Sequence, residues 1–158
     1  MVNTCSTLYT KEVMRHFKKP HNYGKIKDAD GVGKVGNIVC GDVMHLYIKI
    51  KNNIIKEIKF ETFGCVAAIS TSSVITDLAK GKTIEEALKI EKRDVIKLLG
   101  GLPSIKLHCS VLAVDALNEA IYDYFVKSEK PVPKDLKIKH RKIKKDREII
   151  EKRYKKWL

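Results

Sequence analysis

The sequence predicts an α+β fold: a small three-stranded antiparallel sheet packed by helices, with a basic helix added at the C-terminal end. Three observations carry that expectation. Residues 43–51 alternate, with Met44, Leu46, Ile48 and Ile50 on one side and Val43, His45, Tyr47 and Lys49 on the other, the period of a half-buried strand. Beyond Gly64 the apolar spacing becomes helical and stays so. Strands followed by helices is the order of an α+β domain rather than of a wound parallel sheet.

Taken in order, Leu8, Val13, Met14 and Phe17 recur at roughly helical spacing, and Pro20 ends that helix. Gly24, Gly31, Gly33 and Gly36 then read as a loop, with residues 35–39 supplying a first strand joined through Gly41-Asp42. Asn52-Asn53 is a tight turn, and Ile54, Ile58, Phe60 and Phe63 mark the returning strand. A helix over 66–80 closes at Gly81. Thr83 with Glu86 is a capping box for a short helix reaching Ile90. Residues 91–99 form another helix, broken by Gly100-Gly101 and Pro103, and 109–125 form the longest one of the body, with Leu112, Ala116, Ala120 and Tyr124 on one stripe.

The 158 residues suit one ordinary domain, and an apolar fraction of 44% excludes a disordered chain. No apolar run approaches the ~18 residues of a membrane span, and the first ten residues lack the cationic start of a signal peptide. The expectation is a cytoplasmic protein, whose four cysteines (Cys5, Cys40, Cys65, Cys109) are thiols, metal ligands or nucleophiles rather than disulfides. The net charge of +13 is uneven: residues 127–158 hold 14 Lys+Arg against 5 Asp+Glu, and residues 1–126 hold 18 against 14. Lys130-Pro131-Val132-Pro133 marks the boundary, dividing a body at 1–126 from a basic tail at 127–158.

Three cysteines sit at structural transitions. Cys40 ends a strand at Cys40-Gly41-Asp42; Cys65 follows Gly64 at a helix start; Cys109 follows His108 at another. A thiol at a helix N-terminus feels the positive end of the dipole, which favours the thiolate that nucleophiles and soft-metal ligands require. Each of them alone is equally at home as a small buried apolar residue. Separations of 25 and 44 residues match no short zinc-finger spacing, so it is the set, three cysteines with Asp42 and His108 beside breaks, that points to a metal site. Adjacent His108 and Cys109 diverge too widely for a catalytic pair but both can reach one metal from a bent segment.

Cys40-Gly41-Asp42-Val43-Met44, Thr62-Phe63-Gly64-Cys65, and the run from Leu102-Pro103 through Lys106-Leu107-His108-Cys109-Ser110 resemble the three signature segments of the IscU/NifU-type iron–sulfur scaffold family. His16-Phe17 and Pro20-His21-Asn22 are similar to that family's N-terminal helix and loop, and the resemblance covers about residues 8–126. It implies that Cys40, Cys65 and Cys109 are thiolate ligands to a [2Fe–2S] cluster, with Asp42, His108 or a partner's cysteine in the fourth position. Four thiolates hold a cluster firmly, whereas a carboxylate or imidazole suits that soft site less well and eases release. It also implies a cysteine desulfurase that donates sulfur as a persulfide, with Cys109 as acceptor, Cys65 second, and Lys106 as a helper for the anionic sulfur.

The resemblance further implies apo-protein acceptors of the cluster, a ferredoxin electron donor and a chaperone, and it is compatible with a homodimer. It describes a scaffold and carrier, not a turnover enzyme. Ser104 stands where the family's chaperone-docking stretch has a second proline. The alternative is a SufU-like zinc-binding sulfur acceptor that activates a desulfurase, since the same residues suit tetrahedral zinc, and zinc also suits the iron-free form of a scaffold. In the tail, Leu136, Ile143, Ile150, Tyr154 and Trp157 make a narrow apolar stripe on a cationic helix. It reads as a helix docked on the body or on a partner, or as a surface for RNA or acidic membranes; no specific nucleic-acid motif is present.

Overall fold

The computed structural model describes residues 8–37 and 41–155. Its sheet grows from a hairpin. Asn52 and Asn53 both hold positive φ, 53° and 62°, which matches the right-handed twist of the flanking strands. They join β2 (Val43–Lys51) to β3 (Ile54–Phe63), with Lys51 opposite Ile54 and a bulge at Lys49/Ile50. β1 (Gly31–Gly36) pairs antiparallel with the other edge of β2, Lys34 opposite His45, so the order is β1-β2-β3. The predicted alternation holds over Met44, Leu46 and Ile48, which are buried together with Ile55, Ile58 and Phe60; Tyr47 on the opposite side is buried as well, and Ile50 is half-buried.

The first strand differs from the sequence expectation. It runs over Gly31–Gly36, through the glycines assigned to a loop, rather than over 35–39. Residues 38–40 lie outside the described residues. The reason for the glycines is long-range. A Cβ on Gly31 would stand 2.2 Å from the Ala120 carbonyl oxygen, and one on Gly33 would stand 2.1 Å from that of Ala116. The helix behind the strand touches its backbone directly, so these positions must lack side chains.

Six helices are present among the described residues. α1 (Lys11–Lys18) is capped by the Thr10 hydroxyl, which accepts from Val13 N–H at 3.1 Å, and it packs on α2 (Val66–Ala79) through Val13 and His16. α3 (Ile84–Leu88) has the predicted Thr83–Glu86 capping box, and α4 (Lys92–Leu98) ends at Gly100 and Gly101 with φ of 70° and 111°. A 3₁₀ turn at Ser104–Lys106 leads into α5 (Leu107–Lys127), which starts two residues earlier than predicted. α5 covers the sheet with Leu112, Ala113, Ala116, Leu117 and Ala120.

α2 is buried on nearly every side although it carries Ser70, Thr71, Ser72, Ser73 and Thr76. Each hydroxyl has a partner: Ser70 donates to Val13 O at 2.8 Å, Ser72 to Ala68 O at 2.6 Å and Thr71 to Cys109 O at 3.2 Å. Hydrogen bonds to backbone carbonyls, within the helix or across to α1 and α5, offset the desolvation cost of small polar residues in a core.

The tail forms α6 (Lys134–Tyr154), docked on α5 and β1. Leu136, Ile143 and Ile150 are buried, which is the predicted stripe facing the body; Trp157 lies outside the described residues. His140 Nδ1 pairs with the buried Glu119 carboxylate of α5, and its ring stacks on Tyr122 at 3.7 Å between centroids.

Candidate metal centre

The start of β2, the start of α2 and the first turn of α5 meet at one end of the sheet. Cys65 is the N-cap of α2, held in extended backbone by Gly64 and β3 before it. Cys109 lies in the first turn of α5, fully buried, with its carbonyl bound by Thr71. Their sulfurs are 3.9 Å apart. The Asp42 carboxylate, also buried, reaches in from the edge of β2: its Oδ2 lies 3.6 Å from Cys65 Sγ and 4.0 Å from Cys109 Sγ.

His108 completes the group. Donor atoms of Asp42, His108 and Cys109 all lie within 4.8 Å of one another. His108 Nε2 is buried and has no hydrogen-bond partner among the described residues. An orphaned buried nitrogen is costly unless something outside the chain uses it, and an imidazole nitrogen beside thiols and a carboxylate is a metal-ligand set. Of the residues singled out in the sequence, Asp42, Cys65, His108 and Cys109 therefore meet in one place. Cys40 and Cys5 lie outside the described residues.

The electrostatics favour ionised sulfur. The Cys65 thiol is brought down to about 6, chiefly by its bond with Cys109, against the opposing effect of burial; the Ala68 N–H and the Lys106 ammonium also lower it, and Asp42 opposes them. Lys106 responds in kind. Its pKa is raised above the usual lysine value, first by the negative charge at Cys65, with Tyr9 and Cys109 adding to it. The lysine predicted to steady an anionic sulfur thus faces both cysteines.

Two features of the site were not read from the sequence. Gly64, the break before the helix and part of the Thr62–Cys65 signature segment, also leaves room for Asp42: a Cβ there would stand 2.9 Å from the Asp42 Cγ. The rim is apolar and open, with Phe63 85% and Ile105 74% exposed, a surface that a monomer gains nothing by exposing. A second cluster, His16, His21 and Asp77, has comparable spacing. Its members already have partners: His16 Nδ1 meets Ser73 Oγ at 2.7 Å and His21 Nδ1 meets Asp77 Oδ2 at 2.6 Å, bracing α1 and the loop after it against α2.

Residues 8–131 match the family described as NifU-like N terminal domain. The chain belongs to this family. The NifU-type match stops just before α6, so the tail helix lies beyond it. A relative from Archaeoglobus fulgidus, iron-sulfur cluster assembly scaffold protein IscU 1, is 63% identical over 123 residues, covering 78% of this chain and 80% of that protein. The iron-sulfur cluster assembly scaffold protein IscU of Aquifex aeolicus is 45% identical over 121 residues, covering 75% and 77%. Among solved structures, the N-terminal part of a nitrogen-fixing NifU-like protein from Brucella abortus superposes with a TM-score of 0.61 at 19% identity, over 80% of this chain and 99% of that one. At that identity the likeness speaks for the fold, which is the three-stranded α+β arrangement expected from the sequence.

Proposed function

We propose that this protein is a scaffold and carrier on which [2Fe–2S] clusters are built from iron and desulfurase-derived sulfur and then passed to apo-proteins. The observation that supports it is the meeting of Asp42, Cys65, His108 and Cys109 at one open end of a chain of the NifU-type family. The scaffold lies within residues 1–126, and the 127–158 tail is an accessory. Cys40, Cys65 and Cys109 are the thiolate ligands, and Asp42 or His108 takes the fourth place. No helix of the described residues is long and apolar enough to cross a membrane, and thiol chemistry of this kind belongs in a reducing compartment such as the cytoplasm.

Sulfur arrives by exchange. The thiolate of Cys109 attacks the outer sulfur of a desulfurase persulfide, a new S–S bond forms, the old one breaks, and the desulfurase cysteine leaves as a thiolate. Because Cys109 is buried, its sulfur has to become accessible when the desulfurase docks. Cys65, half-buried and ionised near neutral pH, is the second acceptor, and Lys106 neutralises the incoming charge. A ferredoxin supplies electrons, and a chaperone and a second copy of the chain are partners compatible with the open rim. Asp42, a hard ligand at a soft site, sets the rate of release.

Anaerobic reconstitution with iron and sulfide should give a visible charge-transfer spectrum, abolished in Cys40→Ser and Cys109→Ser, with about two irons and two acid-labile sulfides per site. A colourless protein that instead retains one zinc through the same treatment would overturn the scaffold reading in favour of the SufU-like sulfur acceptor. Asp42→Ala should slow transfer to an apo-ferredoxin; an unchanged rate would remove its assigned role.

A further inference from the structure

The face of the sheet turned away from α5 carries a second feature, separate from the thiolate group. A cleft of about 660 Å³ is walled by the loop before β1, by Lys34, His45 and Tyr47 of the sheet, by the end of α5 and by α6 of the tail. That volume falls within the range of roughly 300–1,000 Å³ typical of small-molecule sites. None of Asp42, Cys65, His108 or Cys109 lines it.

Its charge is unbalanced. Lys25, Lys27, Lys34, Lys127 and Arg147 line the cleft, against Glu61 and Asp123. Within the cleft Asp123 accepts from Val32 N–H at 2.8 Å and pairs with Lys127 at 2.7 Å, Glu61 accepts from the Tyr47 hydroxyl at 3.4 Å, and Arg147 lies 3.9 Å from Glu151, so the excess rests on three lysines. Lys25, Lys27 and Lys34 have no carboxylate within pairing distance among the described residues. Other lysines of the same sheet do find one, Lys49 with Asp28 at 2.8 Å and Lys59 with Glu57 at 3.7 Å. Cations gathered from separate segments into a concavity and left without anions repel one another unless a ligand neutralises them.

Arg147 connects this to the tail. The burial of Ile143 and Ile150 places α6 along β1, and Arg147 between them donates to the Lys34 carbonyl at 3.4 Å. We propose that the cleft binds a small polyanion bearing two or more phosphate or carboxylate groups, and that the tail helix supplies one wall of that site. A guanidinium and several ammonium groups on one concave surface recognise oxyanions by charge-assisted hydrogen bonds. The site stands whether or not the chain assembles clusters, because none of its residues belongs to the thiolate group.

The test is titration of the full chain with inorganic pyrophosphate and, separately, with tricarballylate, read by backbone amide shifts at Lys34, His45 and Arg147. Expected is saturable one-to-one binding of at least one probe at ~0.1 M salt, weakened about tenfold by Lys34→Gln and by Arg147→Gln. Saturation by pyrophosphate alone makes the ligand a phosphate compound; saturation by tricarballylate alone makes it a carboxylate. Lys145→Gln and Lys152→Gln, exposed on the far side of α6, should change neither affinity. The proposal is overturned if neither probe saturates by ~10 mM, a concentration at which diffuse surface charge alone begins to bind, or if Lys145→Gln weakens binding as much as Lys34→Gln.

Discussion

Gly64 and Asp42 share one space: the carboxylate carbon of Asp42 lies 2.9 Å from where a Cβ on Gly64 would stand, and Ala68 Cβ lies 2.8 Å from it. Both contacts are shorter than any real Cβ tolerates, and neither neighbour is the free end of a long side chain. Gly64→Ala should therefore push Asp42 away from the two sulfurs while costing about 1–2 kcal/mol of stability. The check is paired: a modest fall in urea midpoint, and a reconstituted spectrum that bleaches at a different rate from wild type. An unchanged rate at lowered stability would show that Asp42 does not touch the bound cluster.

Cys65 makes a pH prediction. With its thiol brought down to about 6, roughly nine-tenths is thiolate at pH 7, against a few per cent for an unperturbed cysteine. Thiolate absorbance of Cys109→Ser is the wrong measurement, because that substitution removes the bond that lowers Cys65 most. Lys106→Gln is the right one. It leaves Cys109 in place and removes one cation, so the midpoint of iodoacetamide alkylation at Cys65 should rise and the rate at pH 6.5 should fall. The linkage has the sign of a depressed acid: this contribution to stability is present above the usual thiol value and is lost as pH falls through about 6. A midpoint unmoved by Lys106→Gln would separate the lysine from the sulfur.

Gly33→Ala tests the contact between β1 and α5. The new Cβ would meet the Ala116 carbonyl oxygen at 2.1 Å and the Ala120 nitrogen at 2.7 Å, both of them helix backbone that has nowhere to go. A loss of about 3 kcal/mol is expected. Gly81→Ala is the comparison: its φ of +81° carries strain of about 1 kcal/mol, but no atom lies within 4 Å of the new Cβ. Chemical denaturation of the two variants should rank them in that order.

What the sequence made legible, and what it hid, follows from the range of the forces involved. The alternation of Met44, Leu46 and Ile48, the Asn52-Asn53 turn and the Thr83–Glu86 capping box are local patterns, and all three stand in the structure. β1 was hidden because its defining residues, Gly31 and Gly33, answer to Ala116 and Ala120 more than eighty positions away. The metal centre divides in the same way. Asp42, Cys65, His108 and Cys109 stood out as chemical types at breaks in the pattern, and they meet. The space at Gly64 that admits Asp42, and the placing of Arg147 beside Lys34, arise only when distant segments dock, so no local pattern announced them.

Asp115 sits at the seam between α5 and the tail, and its titration reports on that seam. Burial pushes its carboxyl up to about 6; Lys142 and Lys139 of α6 pull the other way, and Asp146 adds to the rise. A carboxyl whose folded value lies above its unfolded value of 3.8 contributes stability below about pH 4 and loses it as pH rises through 6. Wild type should therefore weaken across that window relative to Asp115→Asn, which cannot ionise. After allowance for solvent screening, the gap in unfolding free energy between the two should shift by about 1–2 kcal/mol in favour of Asn between pH 4 and pH 7.5. Removing residues 134–158 exposes Asp115 to water and should abolish the shift, with Asp115 titrating near its ordinary value. A pH dependence that is the same with and without Asp115 would mean that the tail leaves this carboxyl hydrated.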